Sequence, residues 1–324
     1  MNSLGDKILQ YLIEERNECS ISEIARRLNY SKSSISETVS RLEKERYVEK
    51  IRRGGNVFVK LSDKVLRAGI IRASEYVLAM PFLKELEMKG FKVFIRSFNN
   101  GLQLAKALLR GEVIFAYLPV PTAYLTHLLN SQIQPLGYGF GGGAYILRSK
   151  EVKSEGIGKV VTTKFSTMEL CLSGVKELQD HERVYASSGE EILAMLINGD
   201  VEYGVIWEPY ATMAIQHGCK VYTSCSEVSV KLCCIPVVNL ELIRYETLST
   251  LREKYVKVMS DLDLKSIESE LISKYSYIVN LDVRLLERTL DKYFIHYEHV
   301  NKFIQNIIDK LLNMYSFRLG FTVS

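Results

Sequence analysis

The chain has 324 residues, 47% of them apolar and 25% charged, the balance of a folded protein of two or three units, which excludes a disordered or fibrous chain. Its most apolar stretch, residues 113–125, is too short to cross a bilayer and is broken by Pro119 and Pro121, and the charged N-terminus does not read as a secretory leader, so no membrane role is expected. The net charge of +4 is uneven: within residues 26–60 ten basic side chains face four acids.

Leu4, Ile8 and Leu12 recur at helical spacing. Ser20 followed by Glu23 is a capping-box signal for a second helix carrying Ile21, Ile24, Ala25 and Leu28. Ser31 can cap a third helix over residues 32–46, whose apolar stripe is Ile35, Val39 and Leu42 and whose other faces hold small hydroxyls and flanking bases. Two β-rich runs, residues 47–51 and 56–61, are joined by Arg52-Arg53-Gly54-Gly55, the pattern of a hairpin with a basic tip. The segment ISEIARRLNYSKSSISETVSRLEKERYVEKIRRGGNVFVKL resembles the winged helix-turn-helix of MarR-like and related prokaryotic regulators. That resemblance implies a third helix in the major groove of double-stranded DNA, touching it through Lys32, Ser33, Ser34, Ser36 and Arg41, with Arg52 and Arg53 of the wing on phosphates. The alternative is a solvated basic face on a winged helix that binds protein.

Residues 63–89 read as a helical linker, interrupted near Pro81, whose Val65, Leu66, Ile70 and Ile71 could bury against a twin chain. Beyond it the sequence repeats itself. Gly101 and Gly111 are spaced as Gly189 and Gly199 are, 88 residues later, and GEVIFA answers GDVEYG. Each pair encloses a helical pattern, follows a β-like run and leads into an apolar strand end with a proline, so two related βαβ units forming two lobes are expected. Ligands of such sheets sit beyond the carboxyl ends of the strands.

The stretches GLQLAKALLRGEVIFAYLPVP, GYGFGGGAYIL, KFSTMELCL and GDVEYGVIWEPYATMA, in that order, resemble the type 2 periplasmic-binding-protein superfamily, in the branch that binds nitrate, sulfonates, taurine or thiamine-precursor pyrimidines. The resemblance implies a ligand between the lobes, touched by Ser97, Phe98 and Asn99, by Leu118, Pro119, Val120 and Pro121, by Ser166 and Thr167, and by Trp207, Glu208 and Tyr210. Ser166 and Thr167 either hold a polar or anionic group at a helix start or simply cap it. Trp207 is a flat cleft wall or a core residue, and Glu208 accepts from an amine-bearing ligand or fixes the hinge. The glycines at 139 and 141–143 lack the G-K-[ST] of a phosphate loop, and the resemblance implies that they lie where the chain approaches the crossover between lobes.

The six cysteines form no C-x-x-C pair, no metal ligand set or cofactor site is assigned, and a reducing, cytoplasmic setting fits. Cys233 and Cys234 read as buried strand thiols on opposite faces, with a redox switch as the alternative. At the C-terminus Leu286, Leu290, Tyr293, Tyr297, Val300, Ile304, Ile307, Leu311 and Met314 follow a heptad seam that packs internally or pairs a homodimer. The expected architecture is multidomain: an α+β winged helix-turn-helix (1–62), a helical linker (63–89), a two-lobed α/β periplasmic-binding-protein-like domain (90–260) and C-terminal helices (261–324). The expected function is a non-enzymatic, ligand-responsive transcription regulator for an anionic or polar metabolite. An enzyme of thiamine-precursor type, drawing on His127, His181 or His217, and an assembly domain with a vestigial cleft are the alternatives.

Overall fold

The computed structural model describes residues 3–15, 18–228 and 231–297. The N-terminal module comprises α1 (Leu4–Glu15), β1 (Cys19–Ser20), α2 (Ile21–Leu28), α3 (Lys32–Lys44), β2 (Val48–Arg53) and β3 (Asn56–Leu61). Both capping signals act as read: Ser20 Oγ accepts from Glu23 N and Ser31 Oγ from Ser34 N. Ile8, Leu12, Ile24, Ile35, Val39 and Val59 close one small core. The wing tip is two residues long, with Gly54 at φ +54° and Gly55 at φ +78°, the primed turn in which both central residues need left-handed backbone. β2 therefore runs on through Arg52 and Arg53, two residues past the expected strand end.

The first lobe follows as β4 (Val65–Ile71), α4 (Met80–Met88), β5 (Lys92–Phe98), α5 (Gly101–Leu109), β6 (Phe115–Pro119), α6 (Val120–Leu129), β7 (Ile133–Pro135) and β8 (Gly139–Gly142). The chain crosses into the second lobe for β9 (Ala144–Arg148), β10 (Lys159–Thr162), α7 (Thr167–Ser173), β11 (Glu182–Tyr185), α8 (Gly189–Asn198), β12 (Tyr203–Trp207), α9 (Tyr210–Gln216) and β13 (Lys220–Ser224). It returns for β14 (Cys234–Asn239), α10 (Tyr245–Asp261), α11 (Ser269–Val279), α12 (Val283–Thr289) and β15 (Tyr293–His296). The first sheet has the order β15-β8-β14-β6-β4-β5, with β7 beside β14; the second is β11-β10-β12-β9-β13.

The internal repeat maps onto this topology and is one strand longer than the sequence pattern suggested. In the first lobe β4 lies between β5 and β6, and in the second β10 lies between β11 and β12, parallel to both. The helical reading of residues 63–89 is thus corrected: only α4 is an α-helix, and residues 65–71 form a strand buried along most of its length. A parallel strand covered on both faces carries no polar alternation to betray it.

The first crossing is at Gly143, between β8 and β9. Gly142 (φ +92°) and Gly143 (φ +64°) have left-handed backbone, and a Cβ on Gly143 would stand 2.3 Å from the Tyr293 ring. That ring belongs to β15, which pairs with β8 and corrects the heptad reading. Leu286 is in α12, Leu290 in a 3₁₀ turn and Tyr293 in a strand, so these residues share no helical seam. The rest of that seam, from Val300 on, lies outside the described residues. Cys171 of α7 and Cys225 after β13 are joined by a disulfide that the sequence reading did not foresee.

The winged module is docked on the first lobe. Lys92 pairs with Asp6 at 2.8 Å, Arg244 with Glu49 at 3.2 Å, and Thr247 Oγ1 donates to Asp63 at 3.0 Å. Val65, the first residue of β4, sits in the winged module's core.

Candidate functional site

Two surfaces carry the sequence-derived residues. On the first, Lys32 and Ser33 at the start of α3 are exposed and Ser34 and Ser36 half-buried. Ser31 Oγ lies 2.9 Å from Ser33 Oγ and 2.8 Å from Ser34 Oγ, so those two hydroxyls also serve the cap. Arg41 comes nine residues after Lys32, half a turn around the helix, and its guanidinium leans toward Gly5 of α1 and Glu45. The structure therefore does not bring Arg41 onto the side held by Lys32 and Ser36. Arg52 and Arg53 are exposed at the wing, with Arg53 paired to Glu18. Exposed Arg26 and Arg27 end α2; the sequence reading counted them as basic without assigning them a contact.

The second surface is the cleft between the lobes, which is closed. Ser74 N donates to Glu208 O (2.9 Å), Trp207 Nε1 to Arg72 O (3.0 Å), Asn100 Nδ2 to Ser187 O (2.7 Å) and Thr122 Oγ1 to Phe165 O (2.6 Å). Arg72 pairs with Glu190 at 2.7 Å. These contacts enclose a cavity with about 40 Å³ open to a water-sized sphere, lined by Ile71, Ala73, Glu75, Tyr76, Asn100, Gly101, Pro119, Thr163, Ser166, Thr167, Met168, Trp207, Cys233 and Cys234.

Of the expected contacts, Pro119, Ser166, Thr167 and Trp207 line this cavity. Asn99 does not; its neighbour Asn100 does, capping α5 through Gln103 N. Ser97 Oγ is directed to Ile278 O at 3.4 Å, Phe98 stacks under Arg96, and Leu118, Val120 and Pro121 are packed inside the first lobe. Glu208 is fully buried, bound to Lys292 and to Thr212 N, and so braces the second lobe next to the hinge. Tyr210 stands edge-on beneath Trp207 and donates to Glu190 at 2.7 Å. Ser166 Oγ accepts from Glu169 N while Glu169 accepts from Phe165 N, so the start of α7 is closed by its own capping pair.

Besides Asn100, Gly101, Thr163 and Met168, the lining residues missed by the sequence reading come from two places. Ile71 ends β4, the strand read as linker, and Ala73, Glu75 and Tyr76 follow it. Ser74 follows β4 as Ser166 follows β10, so extending the repeat by one strand locates this turn. Cys233 and Cys234 come from the segment returning to the first lobe. Cys234 opens β14 and Cys233 precedes it, so strand alternation does not separate them, and their Sγ atoms are 3.6 Å apart. Tyr76 Oη donates to Cys234 Sγ at 3.1 Å.

Among the described residues, no Lys, Arg or His lines the cavity. Glu75 is 4% exposed and, among the described residues, makes no ion pair; burial pushes its carboxyl above the usual range. Burial also pushes the Cys234 thiol well up. For Cys233 the hydrogen bond with Cys234 pulls the thiol down, but desolvation together with the neighbouring Glu75 leaves it raised. His127 Nδ1 is 2.9 Å from Ile133 O, His217 Nδ1 is 2.8 Å from Met213 O, and His181 packs on Tyr203, all away from the cleft.

The chain joins a winged helix to a two-lobed α/β binding fold with a hinged cleft. Residues 8–56 match the MarR family. In fold, the chain is similar to the ligand-binding component of an ABC-type import system from Staphylococcus aureus with zinc bound (TM-score 0.64, 18% identity, covering 78% of this chain and 92% of that one). It is similar also to the periplasmic aliphatic sulphonate binding protein of Escherichia coli (TM-score 0.60, 18% identity, 79% and 93% covered). A third is the periplasmic nitrate-binding protein of Synechocystis PCC 6803 (TM-score 0.52, 11% identity, 68% of each chain). At these identities the likeness is one of fold. No curated protein matches the chain significantly.

Proposed function

We propose that the protein is a transcription regulator that binds double-stranded DNA through its winged helix and alters that binding when the two lobes close on a small effector. The observation that carries this reading is the course of β4. Its first residue, Val65, is packed in the core of the winged module, and its last, Ile71, lines the cleft. Seven strand residues in the middle of a sheet make a stiff element about 20 Å long. A change at the cleft end of β4 therefore reaches the seat of the winged module, where Asp6–Lys92 and Glu49–Arg244 also hold it.

On this reading α3 faces the major groove with Lys32, Ser33, Ser34 and Ser36, and the wing places Arg52 and Arg53 on phosphates. Arg41, half a turn from Lys32 and one heptad after Ser34, serves the flanking backbone. A cytoplasmic location and a two-fold dimer that reads two half-sites complete the proposal, the dimer to be tested by sedimentation. The similar solved structures include one with zinc bound, a sulphonate-binding protein and a nitrate-binding protein, so the lining, not the fold, decides what this cleft takes. A lining with a buried carboxyl and no basic side chain favours a cationic guest over the anionic one the sequence suggested.

The test is fluorescence anisotropy of the full chain with duplexes from its own upstream region at moderate salt. Binding that outlasts excess unrelated DNA is the expected result; competition by any duplex alike overturns the regulator reading.

A further inference from the structure

We propose that Cys233, Cys234 and Glu75 form a binding site for one thiophilic divalent cation of the zinc class, and that this ion is the effector on which the lobes close. The second half rests on the regulator reading above; the first stands on the cluster itself. One ligand atom from each of the three residues lies within 4.8 Å of the other two. The Sγ–Sγ distance is 3.6 Å, and two thiolates at about 2.3 Å from a tetrahedral zinc stand about 3.8 Å apart. The pair is therefore already spaced for one ion and too far apart for a bond between the sulfurs.

The donor set also selects the ion. Two sulfurs favour a soft or borderline metal over magnesium or calcium, and the carboxylate suits zinc better than a copper(I) ion, which prefers sulfur alone. Two thiolates and a carboxylate carry three negative charges in a cavity lined by no basic residue, and a divalent ion offsets two of them. Three protein donors leave one coordination position open. Space of about 40 Å³ accommodates an ion with a water, whereas organic ligands occupy pockets several times larger.

The site is placed to act on the hinge. Glu75 belongs to the turn after β4, whose Ser74 N reaches across to Glu208 O of the second lobe, and the cysteines end the segment returning from that lobe. An ion bound to all three ties the turn to the hinge segment and holds the Ser74–Glu208 contact.

The test uses the full chain, stripped of metal with the Cys171–Cys225 disulfide left intact, titrated with cobalt(II) and then zinc(II). The expected result is one cobalt per chain, intense near-ultraviolet absorption from thiolate bonding, and displacement by one equivalent of zinc. Cys233→Ser/Cys234→Ser removes that absorption, Glu75→Gln weakens binding at least about 10-fold, and Cys219→Ser changes neither. Zinc also protects Cys233 and Cys234 of the unmodified chain from alkylation, a readout that needs no variant to fold. Absent thiolate absorption, or the same absorption in the double variant, overturns the site. Anisotropy with and without zinc separates the two halves: zinc bound at the cluster with DNA affinity changed at least about 5-fold is expected, and unchanged affinity overturns the effector role. Failure to bind DNA in either state overturns the regulator reading and leaves the ion site to the cobalt spectrum.

Discussion

The wing offers the most quantitative test of the DNA-binding surface. Arg52 and Arg53 sit at the end of β2 on either face of a two-residue turn, and Arg53 is held by Glu18 in the free protein. If each arginine neutralises one phosphate, replacing one by alanine flattens the dependence of log K on log salt by about 0.9 per bound chain, and replacing both flattens it by about 1.8. Over a fourfold rise in salt the double variant then loses about 12-fold less affinity than the unmodified chain. Arg53 must leave Glu18 to reach a phosphate, so Glu18→Gln should strengthen binding by up to about 1 kcal/mol, the scale of an exposed ion pair. Anisotropy titrations across a salt series on one duplex measure all of these. Parallel salt slopes for the unmodified and doubly substituted chains would refute the phosphate role of the wing, and weaker binding by Glu18→Gln would refute the competition.

Three further outcomes follow from particular contacts. Gly143→Ala should destabilise the fold by about 1–2 kcal/mol for left-handed backbone and about 1–3 kcal/mol more for the collision with Tyr293, read as a lowered urea midpoint; an unchanged midpoint contradicts the hinge packing. Ser31→Ala should cost about 1 kcal/mol through the lost α3 cap, measured by the same unfolding curve, with wild-type stability as the contrary result. Burial raises the Asp6 carboxyl, but hydrogen bonds from Lys92 and Ser3 outweigh it and hold it below the usual range. Its folded value is thus below its unfolded one, so its contribution is present above about pH 3.8 and fades as pH falls through the lower folded value. Thermal unfolding of Asp6→Asn across that acid window should show a flatter pH dependence than the unmodified chain; identical profiles count against the docking contact.

The winged helix was legible because its signals are local: two hydroxyl caps, an apolar stripe and a glycine pair each act within a few residues. The lobes were legible through the repeat, which returns the same strand–helix–strand pattern after 88 residues. β4 was not, since a central parallel strand apolar on both faces reads as readily as helix, with Leu66 and Ile70 four apart. Missing it hid the turn bearing Glu75. The cysteine pair was visible as residues but not as a pair of neighbours, because only the end of β14 and the returning chain bring both sulfurs to one side. Lys292 reaches Glu208, 84 residues away, from the 3₁₀ turn just before β15, a strand that the heptad pattern masked.

The central claim is that the state of the cleft governs DNA affinity through β4. Its most direct test leaves both the winged helix and the proposed ion cluster untouched: Arg72→Ala/Asn100→Ala removes two contacts that close the lobes, Arg72 with Glu190 and Asn100 with Ser187. With unchanged helical content and salt slope, the account predicts DNA affinity altered at least about 5-fold relative to the unmodified chain. Equal affinity in the two proteins, with the lobes shown to have opened by a shift in the fluorescence of Trp207, the single tryptophan, contradicts it.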